Sequence, residues 1–280
     1  MTRSIGVALG GGGVRGLAHV LVLEALDELG YRPDVIAGTS MGAVIGALYA
    51  SGLSGKQIRE QIARHAVLES DTWPDIFRKK TDLLKWVDAF SFDLGRGGLI
   101  NADKFLDYLL LEVGENTFEK LEIPLIVIAA DFWGGTEVIF ESGDLLPAIK
   151  ASMAVPGVFS PVIIGDRTLV DGGVVNLVPY DHVIPRCDIS IAVNVAKSRT
   201  SGRNDAPSVL ESILGAFDIM QIAALAAKMK RQKPDVYIHP EINDVRMFDF
   251  NKIEDVYRQT EPAIDELHKS LEELSVKRLR

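Results

Sequence analysis

Val35-Ile36-Ala37-Gly38-Thr39-Ser40-Met41-Gly42-Ala43-Val44-Ile45-Gly46 is the stretch that decides the fold. A short apolar run ends at Gly38, one serine stands between two glycines at the G-x-S-x-G spacing, and small residues follow at once. This order is typical of a nucleophile elbow, a strand-to-helix turn that holds a serine hydroxyl clear of the backbone. Gly38 and Gly42 let neighbouring main chain come close, because neither has a Cβ. Ser40 is therefore the candidate nucleophile, although in a chain with 25 glycines the same spacing also fits an ordinary tight turn.

A glycine-rich turn precedes this elbow. Residues 4–9 are apolar enough on both faces for a buried parallel strand, and they run directly into Gly10-Gly11-Gly12-Gly13-Val14-Arg15-Gly16. A helix with a broad apolar face is predicted to follow as far as about Leu29, where Gly30 ends it. In such a turn several backbone N–H groups face one point, with the positive end of the helix dipole behind them. The turn is therefore suited to hold negative charge.

Three kinds of site compete for this turn. Residues 11–16 satisfy the G-x-G-x-x-G pattern of a dinucleotide site, but the second strand ends without the acidic residue that such a site needs, and Asp34 lies before it. A phosphate-binding P-loop needs a lysine after its last glycine, where this chain has Leu17. An oxyanion hole fits best, because both loops leave the carboxyl edge of one parallel sheet and the N–H groups can face a carbonyl that Ser40 attacks.

A third motif is Asp171-Gly172-Gly173, which follows a predicted strand pair at residues 162–164 and 168–170. An acidic residue at the end of a strand, followed by two glycines that open the backbone, lies where loops meet and sites form. A merely solvated aspartate would not need that open backbone. Asp171 is therefore the second candidate site residue.

The rest of the chain alternates strands and helices. Further strands are predicted at residues 123–130, 136–140, 188–195 and 235–239, and helices at about 53–80, 101–111, from Ser208, and from Ile253 with a restart at Pro262. This alternation predicts an α/β fold over residues 1–280, with one mainly parallel central sheet covered by helices on both faces. The motifs lie in a core of about 5–195, and residues of about 208–280 form a C-terminal helical part.

Composition excludes several classes of protein. The formal net charge of −9 argues against nucleic acid as the main partner, because phosphate binding needs clustered cations. Cys187 is the single cysteine, so no internal disulfide is expected, and the start of the chain does not have the pattern of a signal peptide. No run of about 18 uninterrupted apolar residues occurs, so no segment is expected to span a bilayer. No His/Asp/Glu cluster has the spacing of metal ligands, so neither a metal nor a cofactor is expected. A cytoplasmic protein is the expectation.

One apolar segment has two interpretations. Large apolar side chains cluster between residues 83 and 94, directly before the glycine-rich residues 95–98. They fit a helix that packs on the core, and they also fit a mobile flap that covers an apolar site and meets a membrane surface. Both interpretations stay open.

With Gly11-Gly12-Gly13-Val14-Arg15-Gly16, Gly38-Thr39-Ser40-Met41-Gly42 and Asp171-Gly172-Gly173 in this order, the chain resembles the patatin-like phospholipases, in particular the compact bacterial type. Residues 151–161 are similar to the block that precedes the aspartate in that family. The resemblance covers roughly residues 5–195 and shows no departure at the motif positions. It implies a three-layer α/β/α fold.

The resemblance also implies roles for the motif residues. Ser40 would attack an acyl ester and Asp171 would act as its base, so that the two form a Ser–Asp dyad. Arg15 would fix the glycine-rich loop or meet a lipid phosphate. The oxyanion would be held by the N–H groups of Gly11, Gly12 and Gly13, and the glycines that support the two motifs would be Gly38, Gly42 and Gly172.

A histidine that completes a triad is the alternative to the dyad, since histidine is the more usual activator of a serine. The five histidines are His19, His65, His182, His239 and His268. His19 lies one turn into the helix behind the glycine-rich loop, where packing explains it equally well. His182 follows Asp171 in the order of the α/β-hydrolases, but it lies in a proline-flanked segment that is expected to lead away from the site.

The expected function is that of a serine acyl hydrolase, which cleaves carboxyl esters of lipids through an acyl-enzyme intermediate. A lipid or other ester is the expected partner, with peripheral contact at a membrane surface. Two alternatives stay open: a non-catalytic or regulatory protein that senses a lipid or binds a partner in the same pocket, and a carboxylesterase or thioesterase for small molecules.

Overall fold

A mixed sheet of eight strands forms the centre of the fold. The computed structural model describes residues 3–70, 117–197, 206, 209–247 and 249–276. The strands are β1 (Ile5–Leu9), β2 (Val35–Thr39), β3 (Leu125–Asp131), β4 (Thr136–Phe140), β5 (Val162–Ile164), β6 (Arg167–Asp171), β7 (Ile189–Val193) and β8 (Val236–Ile238). The helices are α1 (Ala18–Glu28), α2 (Met41–Ala50), α3 (Gly55–Ser70), α4 (Leu145–Ser152), α5 (Tyr180–Val183), α6 (Val209–Arg231) and α7 (Ile253–Val276). Short 3₁₀ turns cover Gly13–Leu17, Phe118–Lys120, Gly172–Val174, Ile184–Arg186 and Phe250–Lys252.

The strand order is β5-β6-β3-β2-β1-β7-β8, and β4 pairs with the other edge of β3. The five strands from β3 to β8 in this order are parallel, whereas β4, β5 and β6 are antiparallel to their neighbours. Every residue of β1, β2 and β7 is buried, as expected for parallel strands that are covered on both faces.

Alternate side chains of the central strands enter two helical layers. Val7 and Leu9 of β1 belong to the large apolar cluster that α1, α2, α3 and α7 share. Ala8, between them, belongs to the cluster on the opposite face, with Tyr180 of α5 and Leu225 of α6. Because successive side chains of a strand point to opposite faces, this alternation requires cover on both sides. The predicted mainly parallel sheet in a three-layer α/β/α fold is confirmed.

Strands β2 and β6 meet end to end along one edge of β3. Thr39, the last residue of β2, pairs with Ile128, and Asp171, the last residue of β6, pairs with the next residue of β3, Ala129. Strand β4 pairs with residues 127–131 and therefore occupies the other edge of β3. Because β2 is parallel and β6 antiparallel to β3, their carboxyl ends face each other. The sheet thus brings the residue after Thr39 next to Asp171.

Helix α7 runs without a break through Pro262, so the restart predicted at that proline was wrong. A proline inside a helix removes one backbone hydrogen bond and costs about 3 kcal/mol. One face of α7 packs on the core on both sides of the proline, with Val256, Ala263 and Leu267 buried. This packing holds the two halves in line, because tertiary contacts supply most of the stability of helices in proteins.

Helix α6 is an apolar segment that the search for uninterrupted apolar runs did not single out. In the described part of the chain, this one helix is long and apolar enough over Ser212–Arg231 to cross a bilayer by length and composition alone, and most of that stretch is exposed. The sequence criterion missed it because Asp218 and Gln221 interrupt the apolar run.

Several predictions fall outside the described residues. These are the apolar segment 83–94 with its glycines at 95–98, the helix at 101–111, the capping residue Ser208 and most of the polar loop before it.

Candidate active site

Ser40 occupies a strained turn between β2 and α2. Its backbone angles are φ 54° and ψ −123°, in a region that residues other than glycine rarely adopt. Two hydrogen bonds fix the turn: the Ser40 N–H donates to the Ser152 hydroxyl at 2.8 Å, and the Ser40 carbonyl accepts from the Ala43 N–H at 2.9 Å. The side chain is 6% exposed. This is the backbone geometry of the predicted nucleophile elbow.

The two glycines of the elbow are required by close backbone approach. A Cβ on Gly42 would lie 2.1 Å from the carbonyl oxygen of Leu9, and one on Gly38 would lie 2.5 Å from the carbonyl oxygen of Gly42. Side chains at these positions would therefore force β1, β2 and α2 apart. The predicted supporting role of both glycines has this physical cause.

Asp171 reaches the elbow from the end of β6. The residue is 2% exposed, and its carboxylate accepts a hydrogen bond from the Gly173 N–H at 2.7 Å. Burial raises the pKa of Asp171 to about 6, while hydrogen bonds from the Ser40 side chain and from the Gly173 N–H act in the opposite direction. The two predicted reactive side chains are thus brought into contact, and no charged group is among the causes of the shift.

The glycine-rich loop between β1 and α1 lies beside Ser40. A Cβ on Gly11 would lie 3.3 Å from the Ser40 Cβ. The Gly11 N–H, however, donates to the Leu177 carbonyl at 3.0 Å. Among the described residues, no acceptor pairs with the N–H groups of Gly12 and Gly13. Of the three predicted oxyanion donors, the structure therefore leaves Gly12 and Gly13 available, whereas Gly11 holds the loop in place.

Arg15 is a buried anchor of this loop. Its side chain is 2% exposed and donates to two carbonyls, that of Val195 at 3.1 Å and that of Val245 at 3.2 Å. Burial lowers the pKa of Arg15, and the nearby carboxylates of Asp218 and Asp249 oppose that effect. Of the two roles expected for Arg15, these contacts support fixation of the loop.

His19 also supports the loop from beneath. Its Nε2 lies 2.7 Å from the Gly10 carbonyl oxygen, which only accepts, so Nε2 carries the proton. The ring is completely buried, and burial lowers its pKa to about 4, so His19 is neutral at pH 7. Its Nδ1 has no partner among the described residues.

Two other histidines, His182 and His239, have partners elsewhere, whereas the buried Nε2 of His268 has no partner among the described residues. His182 Nε2 lies 3.0 Å from Glu137, which raises the pKa of His182, and His239 Nδ1 lies 2.8 Å from the Asn194 carbonyl. In the described part of the chain no histidine hydrogen-bonds to Ser40 or Asp171. The geometry therefore favours the dyad over the triad. The side chain of His65 lies outside the described residues.

Comparison with known proteins agrees with this arrangement. The sequence model of the patatin-like phospholipases matches residues 7–184, which include the elbow, the glycine-rich loop and Asp171. The chain belongs to the patatin-like phospholipase family. An uncharacterized NTE family protein of Mycobacterium tuberculosis is 35% identical over 203 residues, which are 72% of this chain and 52% of the relative. The lysophospholipase NTE1 of Saccharomyces cerevisiae is 27% identical over 279 residues, 91% of this chain and 16% of that protein.

This patatin-like chain thus spans about half the length of the Mycobacterium relative and a smaller part of the yeast protein. Among solved structures, VipD from Legionella pneumophila has the same fold, with a TM-score of 0.52 and 15% identity over 95% of this chain and 67% of VipD. In the part of the patatin-like chain that the structure describes, no group of three or more His, Cys, Asp or Glu side chains could hold a metal ion.

Three residues beside Ser40 and Asp171 of the patatin-like chain were not singled out from the sequence. Ser152 accepts the Ser40 N–H, and the Met153 sulfur lies 4.0 Å from the Ser40 hydroxyl oxygen. Both lie in the 151–161 block, so the resemblance could have directed attention to them. Gln221 of α6 is 9% exposed and lies close to Gly173, where a Cβ would be 2.2 Å from its Nε2. No local pattern indicates Gln221, because α6 reaches the site only through the tertiary fold.

Proposed function

We propose that this chain is a serine acyl hydrolase that cleaves carboxyl esters of lipids through an acyl-enzyme intermediate. The observation that carries the proposal is the hydrogen-bonded contact between the elbow residue Ser40 and the buried carboxylate of Asp171. Membership of the patatin-like phospholipase family supports lipid esters as the substrate class, as does the name of the yeast relative, a lysophospholipase.

The dyad can carry both proton transfers of the reaction. As the Ser40 oxygen attacks the ester carbonyl carbon, Asp171 accepts the hydroxyl proton, and the carbonyl oxygen becomes an oxyanion. The N–H groups of Gly12 and Gly13 donate to that oxyanion. When the C–O bond to the alcohol breaks, Asp171 returns the proton to the leaving oxygen, and the acyl group stays on Ser40. Water then attacks the acyl-enzyme and gives a proton to Asp171. As the bond between the acyl carbon and the Ser40 oxygen breaks, Asp171 returns that proton to the Ser40 oxygen, and the carboxylic acid leaves.

The environment of Asp171 suits this role. A pKa of about 6 leaves the carboxylate ionised at pH 7 but makes it a stronger base than an ordinary aspartate. Because the raised pKa comes from burial, any bound lipid that excludes water from the site acts in the same direction. The neutral His19 holds the Gly10 carbonyl and adds no positive charge near the oxyanion site.

The proposal extends to partners and location. We propose a lipid or other ester as the ligand, peripheral contact with a membrane surface, and a cytoplasmic location. The formal net charge of −9 supports lipid over nucleic acid as the main partner.

Hydrolysis of a panel of lysophospholipids, diacyl phospholipids and soluble short-chain esters tests the proposal. Wild-type protein is expected to release fatty acid, whereas Ser40→Ala and Asp171→Asn lower kcat by several orders of magnitude. Ser51→Ala at the end of α2 and Asp166→Asn in the exposed β5–β6 turn are matched controls that keep wild-type rates. Hydrolysis of soluble esters or thioesters without any lipid would favour the small-molecule enzyme. A folded wild-type protein that hydrolyses nothing would favour the non-catalytic alternative.

A further inference from the structure

The outward side of α6 is apolar and is not covered by the described part of the chain. Between residues 212 and 227 the helix has a single charged residue, Asp218, and this residue is half-buried. Large side chains are exposed by 38–70% at four positions: Ile213, Ile219, Met220 and Ile222. These four residues span about 14 Å along the helix at 1.5 Å of helix rise per residue. A helix that is apolar all round and lies on a surface is expected to meet another apolar phase.

The inward side of α6 is part of the fold. Leu225 is buried in the cluster beneath the sheet. At the C-terminal end, Lys228 donates to the Val178 carbonyl at 2.9 Å and to the Asn176 side chain at 2.7 Å, and its ammonium lies 4.3 Å from the centre of the Tyr180 ring. Because these contacts hold the helix on the sheet, α6 cannot cross a bilayer without leaving the core. The face that the described residues leave uncovered is therefore oriented for contact in the plane of a surface.

Helix α6 borders the proposed active site. Gly173 lies between the helix and the carboxylate. A Cβ built on Gly173 would be 2.2 Å from Gln221 Nε2 and 2.9 Å from Asp171 Oδ1. Ile219, Met220 and Ile222 are the neighbours of Gln221 along the helix. The exposed apolar face of α6 is thus less than one helical turn from Gln221, the residue that lies beside Gly173.

A second exposed apolar feature lies at the carboxyl end of β3, the end of the strand at which Asp171 pairs. The β3–β4 hairpin carries Phe132 and Trp133, which are 52% and 80% exposed and pack edge to face with ring centres 4.8 Å apart. Phe132 follows directly after β3, three residues beyond Ala129, which is the partner of Asp171. Trp side chains are favoured where an apolar phase meets water, as at the surface of a bilayer.

Charge distinguishes a lipid surface from a protein partner here. Although the chain has a net charge of −9, three exposed cations lie at and just after the C-terminal end of α6: Lys230, Arg231 and Lys233. A charge-free apolar face that ends in a cationic group is complementary to a bilayer, with acyl chains beneath and anionic headgroups at the rim.

We propose that the outward face of α6, together with Phe132 and Trp133, docks this protein on the surface of an anionic lipid bilayer and so brings the Ser40–Asp171 pair close to the lipid. The inference rests on the proposed function, because it assigns the surface from which that site takes its substrate. It differs from the flap expected at residues 83–98, since every residue that carries it lies in the described fold.

Vesicle flotation tests the proposal with the whole chain. Vesicles of phosphatidylcholine alone are compared with vesicles of phosphatidylcholine and phosphatidylglycerol in equal parts. The double variant Ile219→Ser/Met220→Ser is expected to lower binding to both by at least about tenfold, because each substitution removes a large apolar side chain from the interface. Lys230→Gln/Arg231→Gln is expected to remove the preference for phosphatidylglycerol only. Leu29→Ser is the matched control, since Leu29 is 42% exposed at the end of α1, on the opposite edge of the sheet.

Melting temperature and hydrolysis of a soluble ester are measured on the same samples. Loss of flotation with both of these kept supports the proposal. Flotation of Ile219→Ser/Met220→Ser equal to that of wild type overturns it, even if the proposed hydrolase activity is present. A wild-type dimer that the same double variant converts to a monomer also overturns it, because a second copy then covers the face. If wild type binds vesicles through α6 but hydrolyses no ester, the docking surface stands and the proposed function fails.

Discussion

Asp171→Asn is expected to stabilise the folded protein at alkaline pH while it abolishes activity. The pKa of Asp171 is about 6 in the fold, against 3.8 for an ordinary aspartate, and burial is the main cause. The folded protein therefore binds the Asp171 proton more tightly than the unfolded chain does. Between these two pKa values stability falls as pH rises, and above pH 6 the full cost of the buried charge is present.

The size of this cost follows from the shift. One pKa unit corresponds to about 1.4 kcal/mol, so the shift of Asp171 corresponds to about 3 kcal/mol at pH 8. At pH 5, where both states are partly protonated, about half of it remains. Asparagine keeps the acceptor for the Gly173 N–H but carries no charge, so Asp171→Asn removes the cost. The variant is thus predicted to gain about 3 kcal/mol in the free energy of unfolding at pH 8 and about half that at pH 5.

Urea unfolding followed by circular dichroism at pH 8 and pH 5 measures this gain. Asp166→Asn, in the exposed turn of the same hairpin, is the control and is expected to change the free energy of unfolding by less than about 0.5 kcal/mol at both pH values. A gain for Asp171→Asn that does not depend on pH, or a loss of stability at pH 8, would refute the account of this carboxylate as a destabilised buried base.

Further predictions concern the elbow, the loop and the pH dependence. Gly42→Ala is expected to prevent folding or lower the melting temperature sharply, because its Cβ would lie 2.1 Å from the Leu9 carbonyl oxygen. Gly215→Ala is the control: its Cβ would meet no other part of the fold within 4 Å, so it keeps the wild-type melting temperature. For a soluble ester, kcat/KM is expected to fall about tenfold per pH unit below about pH 6, where Asp171 becomes protonated, and to level off above that pH. A profile that does not change with pH would contradict Asp171 as the catalytic base. His19→Ala is expected to lower kcat by no more than about tenfold, since it removes one hydrogen bond to the loop, and a loss as large as that of Asp171→Asn would favour a histidine triad.

The sequence predicted the elements that local patterns define. Strands β1, β2 and β7, the elbow at Ser40 and the β5–β6 hairpin follow from apolar runs bounded by glycines, and the structure has them with shifts of a few residues at their ends. The resemblance of the three motifs to the patatin-like family implied that Ser40 and Asp171 act together, although the order of their strands in the sheet was not predicted. Their contact comes from the end-to-end placement of β2 and β6 along β3, which depends on strand order and register that no local pattern contains.

Other features depended on tertiary structure and were missed. The Gly11 N–H is engaged by Leu177, a residue more than 160 positions away, so its unavailability as an oxyanion donor could not be predicted. Pro262 stays helical because buried residues on both sides of it hold α7 on the core. Gln221 approaches Gly173 only because α6 packs across the end of β6. In each case the decisive contact joins distant parts of the chain.

Labelling with a fluorophosphonate, followed by peptide mass spectrometry, tests the central claim most directly. The probe reacts with a serine only when a base activates its hydroxyl, so the account predicts one labelled residue, Ser40, in the wild-type protein. Labelling is predicted to disappear in Ser40→Ala, to slow by orders of magnitude in Asp171→Asn, and to keep its wild-type rate in Asp166→Asn. A label on another serine, or a wild-type rate in Asp171→Asn, would contradict the Ser40–Asp171 dyad.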